Sequence, residues 1–167
     1  MIVGIDLAAK KKNPTGICLF NSKNEYELLT LYEDDEIIEF VNNAKPILIA
    51  IDAPLMEKIR VREADIILKK YGAMPPTMQG MKELTKRANR IVKKLNGIVI
   101  EVFPTASAKI LGIYDRDYKK MMNKLKIKAK NKHELDAYLA AYTAYLYLND
   151  MAIEIGGKEK IIIPKGI

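Results

Sequence analysis

Acidic residues stand at the ends of three apolar runs in this sequence, where a buried strand would normally exclude a charge. Asp6 follows IVGI, Asp52 follows ILIAI, and Glu101 follows IVI. Burying an ionised carboxylate costs on the order of several kcal/mol unless another group compensates it. Three such acids on strands of one sheet therefore suggest that they share a compensating ion.

A fourth acid, Asp136, lies in the second turn of a helix that we expect to begin near Asn131. Glu134 has a simpler explanation, because Asn131 and Glu134 have the spacing of a capping box. If the first turns of this helix lie over the strand ends, Asp136 joins the other three acids. His133, the only histidine, lies one turn before Asp136. It can act as an acid or base or contact a phosphate, and an ordinary histidine at a helix start is the alternative.

The donor atoms of these side chains indicate which metal they would bind. Clustered carboxylates repel one another, which raises their pKa values unless cations are present. Oxygen ligands suit Mg²⁺ or Mn²⁺ rather than zinc, and the chain has only one cysteine, Cys18. Two such ions about 4 Å apart activate a water and stabilise the leaving oxygen in phosphodiester cleavage. We therefore expect two Mg²⁺ or Mn²⁺ ions, with these ligands: Asp6, Asp52, Glu101 and Asp136.

Basic residues are concentrated in one segment. The chain has 28 Lys and Arg against 21 Asp and Glu, a formal charge of +7. Residues 119–132 contain seven lysines and no acid, so the rest of the chain is neutral. A local basic patch favours a polyanion such as nucleic acid, and a solvated lysine-rich loop is the alternative. The expected nucleic-acid contacts in this segment are Lys124, Lys126, Lys128, Lys130 and Lys132.

A second group of lysines, Lys10, Lys11 and Lys12, directly follows the first apolar run. We expect them to meet a phosphate backbone close to the metal ions, and a flexible hairpin loop is the alternative. The tyrosines of the last helix, Tyr138 and Tyr142 among them, have helical spacing. This spacing favours packing in the core or in an interface over base stacking, and a homodimer remains open.

The order of strands and helices decides whether these residues can meet. Short apolar runs at 1–7, 15–20 and 26–32 are separated by turn residues, which predicts an antiparallel meander. A helical pattern at 33–43 and a strand at 47–51 follow. Strand, helix and strand in succession imply a crossover and a parallel partner, with the helix on one face of the sheet.

The remaining pattern continues this α/β alternation to the C-terminus. The final IIIP run is expected to form an edge strand or a packed extension. The lysine-rich segment is assigned neither a helix nor a strand. The other expected elements are helices at 60–70, 78–95 and 105–111, a strand at 98–103, and the last helix from Asn131.

Length and composition indicate one soluble domain. With 167 residues and 49% hydrophobic content, the chain can bury a sizeable core, and we expect a single domain over residues 1–167. The first residues, MIVGID, lack the pattern of a signal peptide. The longest apolar stretch, at 137–148, is too short to cross a bilayer. A cytoplasmic protein without membrane contact is therefore expected.

An ordered set of motifs resembles a known family: GIDLA (4–8), TG (15–16), IDAPL (51–55), Arg62 with Asp65, IEVFPTA (100–106) and HELDAYLAAYTA (133–144). The chain resembles, over nearly its whole length, a little-characterised prokaryotic family of predicted nucleases with an RNase H-like fold. The resemblance implies a five-stranded mixed sheet of order 3-2-1-4-5 flanked by helices. It also implies that the four acids named above bind metal.

Arg62 and Asp65 match this family pattern, so Arg62 is a further candidate for contact with nucleic acid. The two residues lie three apart on an expected helix, and an internal ion pair is the equal alternative.

The function favoured by these observations is metal-dependent hydrolysis of nucleic-acid phosphodiesters by a two-metal mechanism. A nucleic-acid-binding module of the same fold, without turnover, is the first alternative. An ATP-dependent phosphotransferase of the actin-like or sugar-kinase type is less favoured, because such proteins need two lobes of this kind. A covalent hydrolase is disfavoured, since the chain has no G-x-S-x-G motif and a single histidine.

Overall fold

A computed structural model describes residues 1–166, and seven strands in it form one mixed sheet. The strands are β1 (Ile2–Asp6), β2 (Thr15–Ser22), β3 (Glu25–Leu31), β4 (Leu48–Asp52), β5 (Val99–Val102), β6 (Ala152–Ile155) and β7 (Ile161–Pro164). Their order in the sheet is β3-β2-β1-β4-β5-β7-β6.

Helices cover both faces of this sheet. They are α1 (Asp34–Ala44), α2 (Glu63–Ile67), α3 (Gln79–Val92), α4 (Pro104–Ile110), α5 (Tyr118–Leu125) and α6 (Lys132–Leu148), and a 3₁₀ turn at Leu68–Tyr71 follows α2. No helix in the described part of the chain is both long and apolar enough to cross a membrane.

The first five strands have the expected order, but the expected five-stranded sheet is wrong because the sheet has seven strands. The C-terminal IIIP run forms β7, which pairs in parallel with β5 and antiparallel with β6. All four residues of β7 are buried, as expected for a strand with a neighbour on each side. The edge of the sheet is therefore β6, not the IIIP strand.

The lysine-rich segment also differs from expectation, because its first part forms α5. Asp117 caps this helix, since its Oδ1 accepts a hydrogen bond of 3.0 Å from the backbone N–H of Lys119. Met121 is buried in the core beside α6, and Met122 and Leu125 pack against the same core. Apolar residues at helical spacing thus anchor a segment whose other side chains are mostly lysine.

Alternation of side chains along the central strands divides the core in two. Ile2 and Ala50 face α6, whereas Val3, Ile5 and Ile49 face α1 and α3. Tyr138 belongs to the α6 side, where its ring meets that of Phe20 edge to face at 5.6 Å. The preference for packing over base stacking is confirmed for this tyrosine.

The α6 helix lies unusually close to β1 because Gly4 has no side chain. A Cβ atom at Gly4 would lie 2.1 Å from the carbonyl oxygen of Ala137 and 2.7 Å from the backbone nitrogen of Ala141. Small residues on both elements therefore allow backbone to pack on backbone. This contact fixes the height of α6 above the sheet, and with it the position of the helix's first turns.

Candidate active site

Two aspartates face each other across adjacent parallel strands. Asp6 ends β1, Asp52 ends β4, and the two residues are direct partners in the parallel pairing of these strands. Partners in a parallel pair project from the same face of the sheet. Asp6 shares its face with Gly4, and Asp52 shares its face with Ala50, so both carboxylates point toward the side covered by α6.

The first turn of α6 lies directly over these strand ends. A Cβ atom at Gly16, the β2 partner of Asp6, would lie 2.0 Å from the carbonyl oxygen of His133. Since glycine leaves this space open, the first turn of α6 can pack directly against the sheet. Nδ1 of His133 then lies 3.0 Å from Oδ2 of Asp6. Asp136, one turn later, reaches the same group of charges.

Burial and mutual repulsion raise the pKa values of the aspartates in this group. Burial, followed by the negative charges of Asp6 and Asp136, raises the pKa of Asp52 well above its usual range. Burial and the charge of Asp6 raise the pKa of Asp136 to about 7, although Lys132 and His133 act in the opposite direction. The hydrogen bond to Asp6 raises the pKa of His133. The arrangement therefore concentrates negative charge that only partial protonation or a cation can relieve.

The donor chemistry of this group fits a hard divalent cation. Asp6, Asp52 and Asp136 supply carboxylate oxygens, and His133 supplies one imidazole on the same side. Within residues 1–166, no three Asp, Glu, His or Cys side chains are already arranged to hold a metal ion. Small rotations of these carboxylates toward a cation would relieve the repulsion that separates them.

Glu101 projects away from the three aspartates, although its charge contributes to the raised pKa of Asp52, so the structure does not bring the expected set of four ligands together. It is the β5 partner of Ile51, not of Asp52, so it projects from the opposite face of the sheet. Its Oε1 and Oε2 accept hydrogen bonds of 2.7 and 2.8 Å from the guanidinium of Arg62. Oε1 also accepts one of 2.7 Å from the backbone N–H of Leu55, in the loop after Asp52.

Arg62 is likewise placed differently from the expected phosphate contact. Only 3% of its side chain is exposed, and it is held between Glu101 and Asp65. Nε and one terminal nitrogen of Arg62 donate to the two oxygens of Asp65 at 3.0 and 2.9 Å. The internal ion pair, the alternative reading of this Arg–Asp spacing, is the one that the structure shows. The network fixes the loop between β4 and α2.

Glu101→Gln separates this structural role from a role in metal binding. Arg62 keeps its pair with Asp65, but the amide nitrogen of Gln cannot accept the second hydrogen bond that Glu101 accepts from Arg62. Leaving a buried donor without an acceptor costs roughly 1 to 3 kcal/mol in the free energy of unfolding. We expect that loss in chemical denaturation at pH 8, with the affinity for Mn²⁺ unchanged in calorimetry. Glu154→Gln, at the exposed pair with Lys160, is the matched control and should change neither quantity. If the folded Glu101→Gln variant bound Mn²⁺ more weakly, Glu101 would be one of the metal ligands after all.

The expected basic contacts all lie at the surface. Lys124, Lys126, Lys128, Lys130 and Lys132 are exposed, as are Lys10, Lys11 and Lys12. Two members of the second group have acidic neighbours: Nζ of Lys10 lies 4.0 Å from Glu83, and Nζ of Lys11 lies 3.7 Å from Glu33. No lysine of 119–132 forms a salt bridge among the described residues. The segment is therefore the freer of the two basic groups.

Arg87 supports the site and was not singled out from the sequence. Its side chain is 1% exposed, and its Nε donates to Oδ1 of Asp34 at 2.8 Å. Its two terminal nitrogens donate to the carbonyl oxygens of Ala8, at 2.7 Å, and Tyr32, at 2.6 Å. It thereby ties the loop after Asp6 to α3. The signal was its spacing from Leu84 and Ile91, which places it on the apolar stripe of α3.

These pKa shifts predict how pH affects the metal-free protein. The pKa values of Asp136 and Glu101 are about 7, whereas the ordinary values of these groups are 3.8 and 4.5, and burial is the main cause of both increases. Between these values the folded state keeps protons that the unfolded state releases, so both groups lower stability as pH rises through that window. Because a cation replaces the protons on Asp136, Mg²⁺ should raise Tm at pH 8 and have little effect at pH 5. Thermal unfolding in Mg²⁺ and in EDTA measures this difference; an equal Mg²⁺ effect at both pH values would contradict it.

Comparison with known proteins supports the fold. No protein-family model matches the sequence, and no curated protein matches it. Two solved structures of Thermus thermophilus RuvC are similar over 89% of this chain and 95% of theirs. The first, described as RuvC in complex with Holliday junction substrate, has 11% identity and a TM-score of 0.51. The second, of RuvC, has 12% identity and a TM-score of 0.52. The chain therefore shares the RNase H-like fold of RuvC.

Proposed function

We propose that this protein is a metal-dependent nuclease that hydrolyses nucleic-acid phosphodiesters at Asp6, Asp52 and Asp136. The observation that carries the proposal is the convergence of two strand ends and one helix start. Asp6 and Asp52 are partners across β1 and β4, and α6 brings His133 to 3.0 Å from Asp6. The fold shared with RuvC, which in one structure is bound to a Holliday junction, supports nucleic acid as the substrate class.

The residues of the chain have separate parts in this reaction. Asp6 lies between Asp52 and His133, and it would hold the metal together with the other two aspartates. Asp52 and Asp136 complete the oxygen ligands from either side. What two Mg²⁺ or Mn²⁺ ions supply when bound is an activated water and stabilisation of the leaving oxygen. In this proposal Glu101 does not bind metal and instead positions the loop after Asp52 through Leu55 and Arg62.

His133 is the one side chain in this group whose ordinary pKa already lies near neutral pH. Its Nδ1 faces Oδ2 of Asp6, and 43% of its side chain is exposed. With Nδ1 held toward Asp6, the other ring nitrogen, Nε2, is left to exchange a proton with a water or the leaving oxygen, or to bind an ion. The hydrogen bond to Asp6 raises its pKa, which favours the protonated form.

The test is hydrolysis of single-stranded DNA, duplex DNA, a four-way junction and an RNA–DNA hybrid, each with Mg²⁺, with Mn²⁺ and with EDTA. The proposal expects cleavage of at least one of these substrates with a divalent ion and none in EDTA. Cleavage that persists in EDTA, or no cleavage of any substrate with either ion, would contradict it.

A nucleic-acid-binding module without turnover is the second candidate. Two observations favour it: the unpaired lysines of 119–132, and the absence, within residues 1–166, of a group already arranged to hold metal. It predicts affinity for nucleic acid that falls steeply with salt, and no cleavage with any divalent ion.

The cytoplasmic location, the homodimer and the single domain over residues 1–167 remain predictions.

A further inference from the structure

A small pocket opens directly beside Asp136, outside the group formed with Asp6 and Asp52. Its volume is about 50 Å³. Since one bound water occupies roughly 10 to 15 Å³ of such a pocket, there is room for about four groups of that size, and a phosphate has four oxygens. Its polar lining consists of Thr105, Tyr114, Asp115, Arg116, Lys132 and Asp136.

The two cations of this lining have no acidic partner. Neither Arg116 nor Lys132 forms a salt bridge anywhere in residues 1–166. The acids on either side of Arg116 are engaged with backbone. Oδ1 of Asp115 accepts a hydrogen bond of 2.9 Å from the N–H of Asp117, whose own carboxylate caps α5. The guanidinium of Arg116 is therefore left available for an external anion.

The opposite wall is formed by α4 and α5, through Pro104, Ala108 and Met121. These residues are buried and apolar, so they shape the pocket without competing for its charges. Asp136 is the second acid of the pocket, and it belongs to the proposed metal ligands. When its charge is neutralised there, the two cations Arg116 and Lys132 outnumber the one carboxylate that keeps its charge, Asp115.

We propose that Arg116 and Lys132 form a phosphate subsite that holds a backbone phosphate adjacent to the one under attack. The inference rests on the proposed nuclease function, because Asp136 is shared between the subsite and the metal ligands. A fork-shaped guanidinium and a point-charge ammonium on one small pocket are suited to a phosphate group. The lysines of α5 and of the loop that follows it extend the same positive surface away from the site.

The first test measures binding of a fluorescein-labelled single-stranded DNA by anisotropy, in Ca²⁺ and over a range of NaCl concentrations, because Ca²⁺ takes carboxylate ligands and so neutralises Asp136. Arg116→Gln with Lys132→Gln should weaken binding about tenfold and reduce the salt slope by about 0.7, since one phosphate contact on a single strand contributes about 0.7. Lys45→Gln is the matched control: Lys45 is exposed and lies shortly before β4, at the end of the strand opposite Asp52. Equal binding by the double variant and Lys45→Gln would overturn the subsite.

A second test locates the phosphate. Single methylphosphonate substitutions along the same DNA remove one backbone charge at a time. In the wild type one position should weaken binding most, and in Arg116→Gln the same substitution should have no further effect. Additive losses at every position would overturn the subsite. If this pattern appears but no DNA is cleaved with Mg²⁺ or Mn²⁺, the subsite stands and the nuclease proposal fails.

Discussion

Asp6→Asn is expected to lower the rate of phosphodiester hydrolysis by about 1000-fold or more, while raising the Tm of the metal-free protein. The loss follows because Asp6 is proposed to hold the metal, and stabilisation of the transition state by bound metal contributes several kcal/mol, about 1.4 kcal/mol for each factor of ten. The gain follows because Asn removes a charge that repels Asp52 and Asp136. Its side-chain oxygen can still accept a hydrogen bond from His133.

Single-turnover cleavage and thermal unfolding in EDTA measure these two effects on the same variant. Asp150→Asn is the matched control, because Asp150 is exposed and its φ of 58° is one that Asn adopts readily. It should leave both activity and Tm unchanged. Full activity in Asp6→Asn would remove Asp6 from the mechanism, and a lower Tm would show that Asp6 is stabilising rather than repelling its neighbours.

Gly4→Ala should destabilise the fold by about 3 kcal/mol or more. A small-to-large change in a packed core usually costs about 1 to 3 kcal/mol, because flexible side chains can move aside. Here the added Cβ would lie 2.1 Å from the carbonyl oxygen of Ala137, and the two shortest contacts at this point are with backbone atoms. The helix α6 must therefore move as a body, and it would carry His133 and Asp136 away from Asp6.

Chemical denaturation of Gly4→Ala measures this cost, and Mn²⁺ calorimetry on the folded fraction measures the displacement of the site. Gly80→Ala is the control: Gly80 lies in α3, and a Cβ there would meet nothing within 4 Å. Alanine favours a helix over glycine, so this variant should be unchanged or slightly more stable. A Gly4→Ala protein as stable as Gly80→Ala, with normal Mn²⁺ affinity, would contradict the close packing of α6 on β1.

The sequence predicted much of this site because its signals were local. Asp6 and Asp52 each end an apolar run, and an acid there requires compensation whichever strands pair. The position of Asp136 followed from its place in the second turn of a helix that starts at Asn131, whose side chain does cap it, accepting from the N–H of Glu134 at 2.9 Å. Only packing of the helix over the strand ends was assumed, and Gly4 and Gly16 permit it.

Glu101 shows why the rest could not be read from the sequence. It ends an apolar run much as Asp52 does, but pairing register decides the face on which a side chain lies, and a shift of one residue reverses it. Glu101 pairs with Ile51 rather than with Asp52. Its partner Arg62 lies 39 positions away in the chain, so the buried pair became visible only in the folded structure.

The missed elements have similar causes. The strands β6 and β7 have only four residues each, too few for alternation to distinguish an edge from the interior of a sheet. The lysines of α5 concealed the apolar spacing of Met121 and Leu125, because charge is the more conspicuous feature of that segment. The unpaired state of Arg116 depends on the turn that engages Asp115 and on the cap formed by Asp117, which no spacing rule describes.

The most direct test of the account is anomalous diffraction from crystals of this protein soaked in Mn²⁺. We expect anomalous density between the carboxylates of Asp6, Asp52 and Asp136 and close to the side chain of His133, with Glu101 still paired to Arg62. Crystals saturated with Mn²⁺ that show no density among these three aspartates would contradict the proposed metal centre.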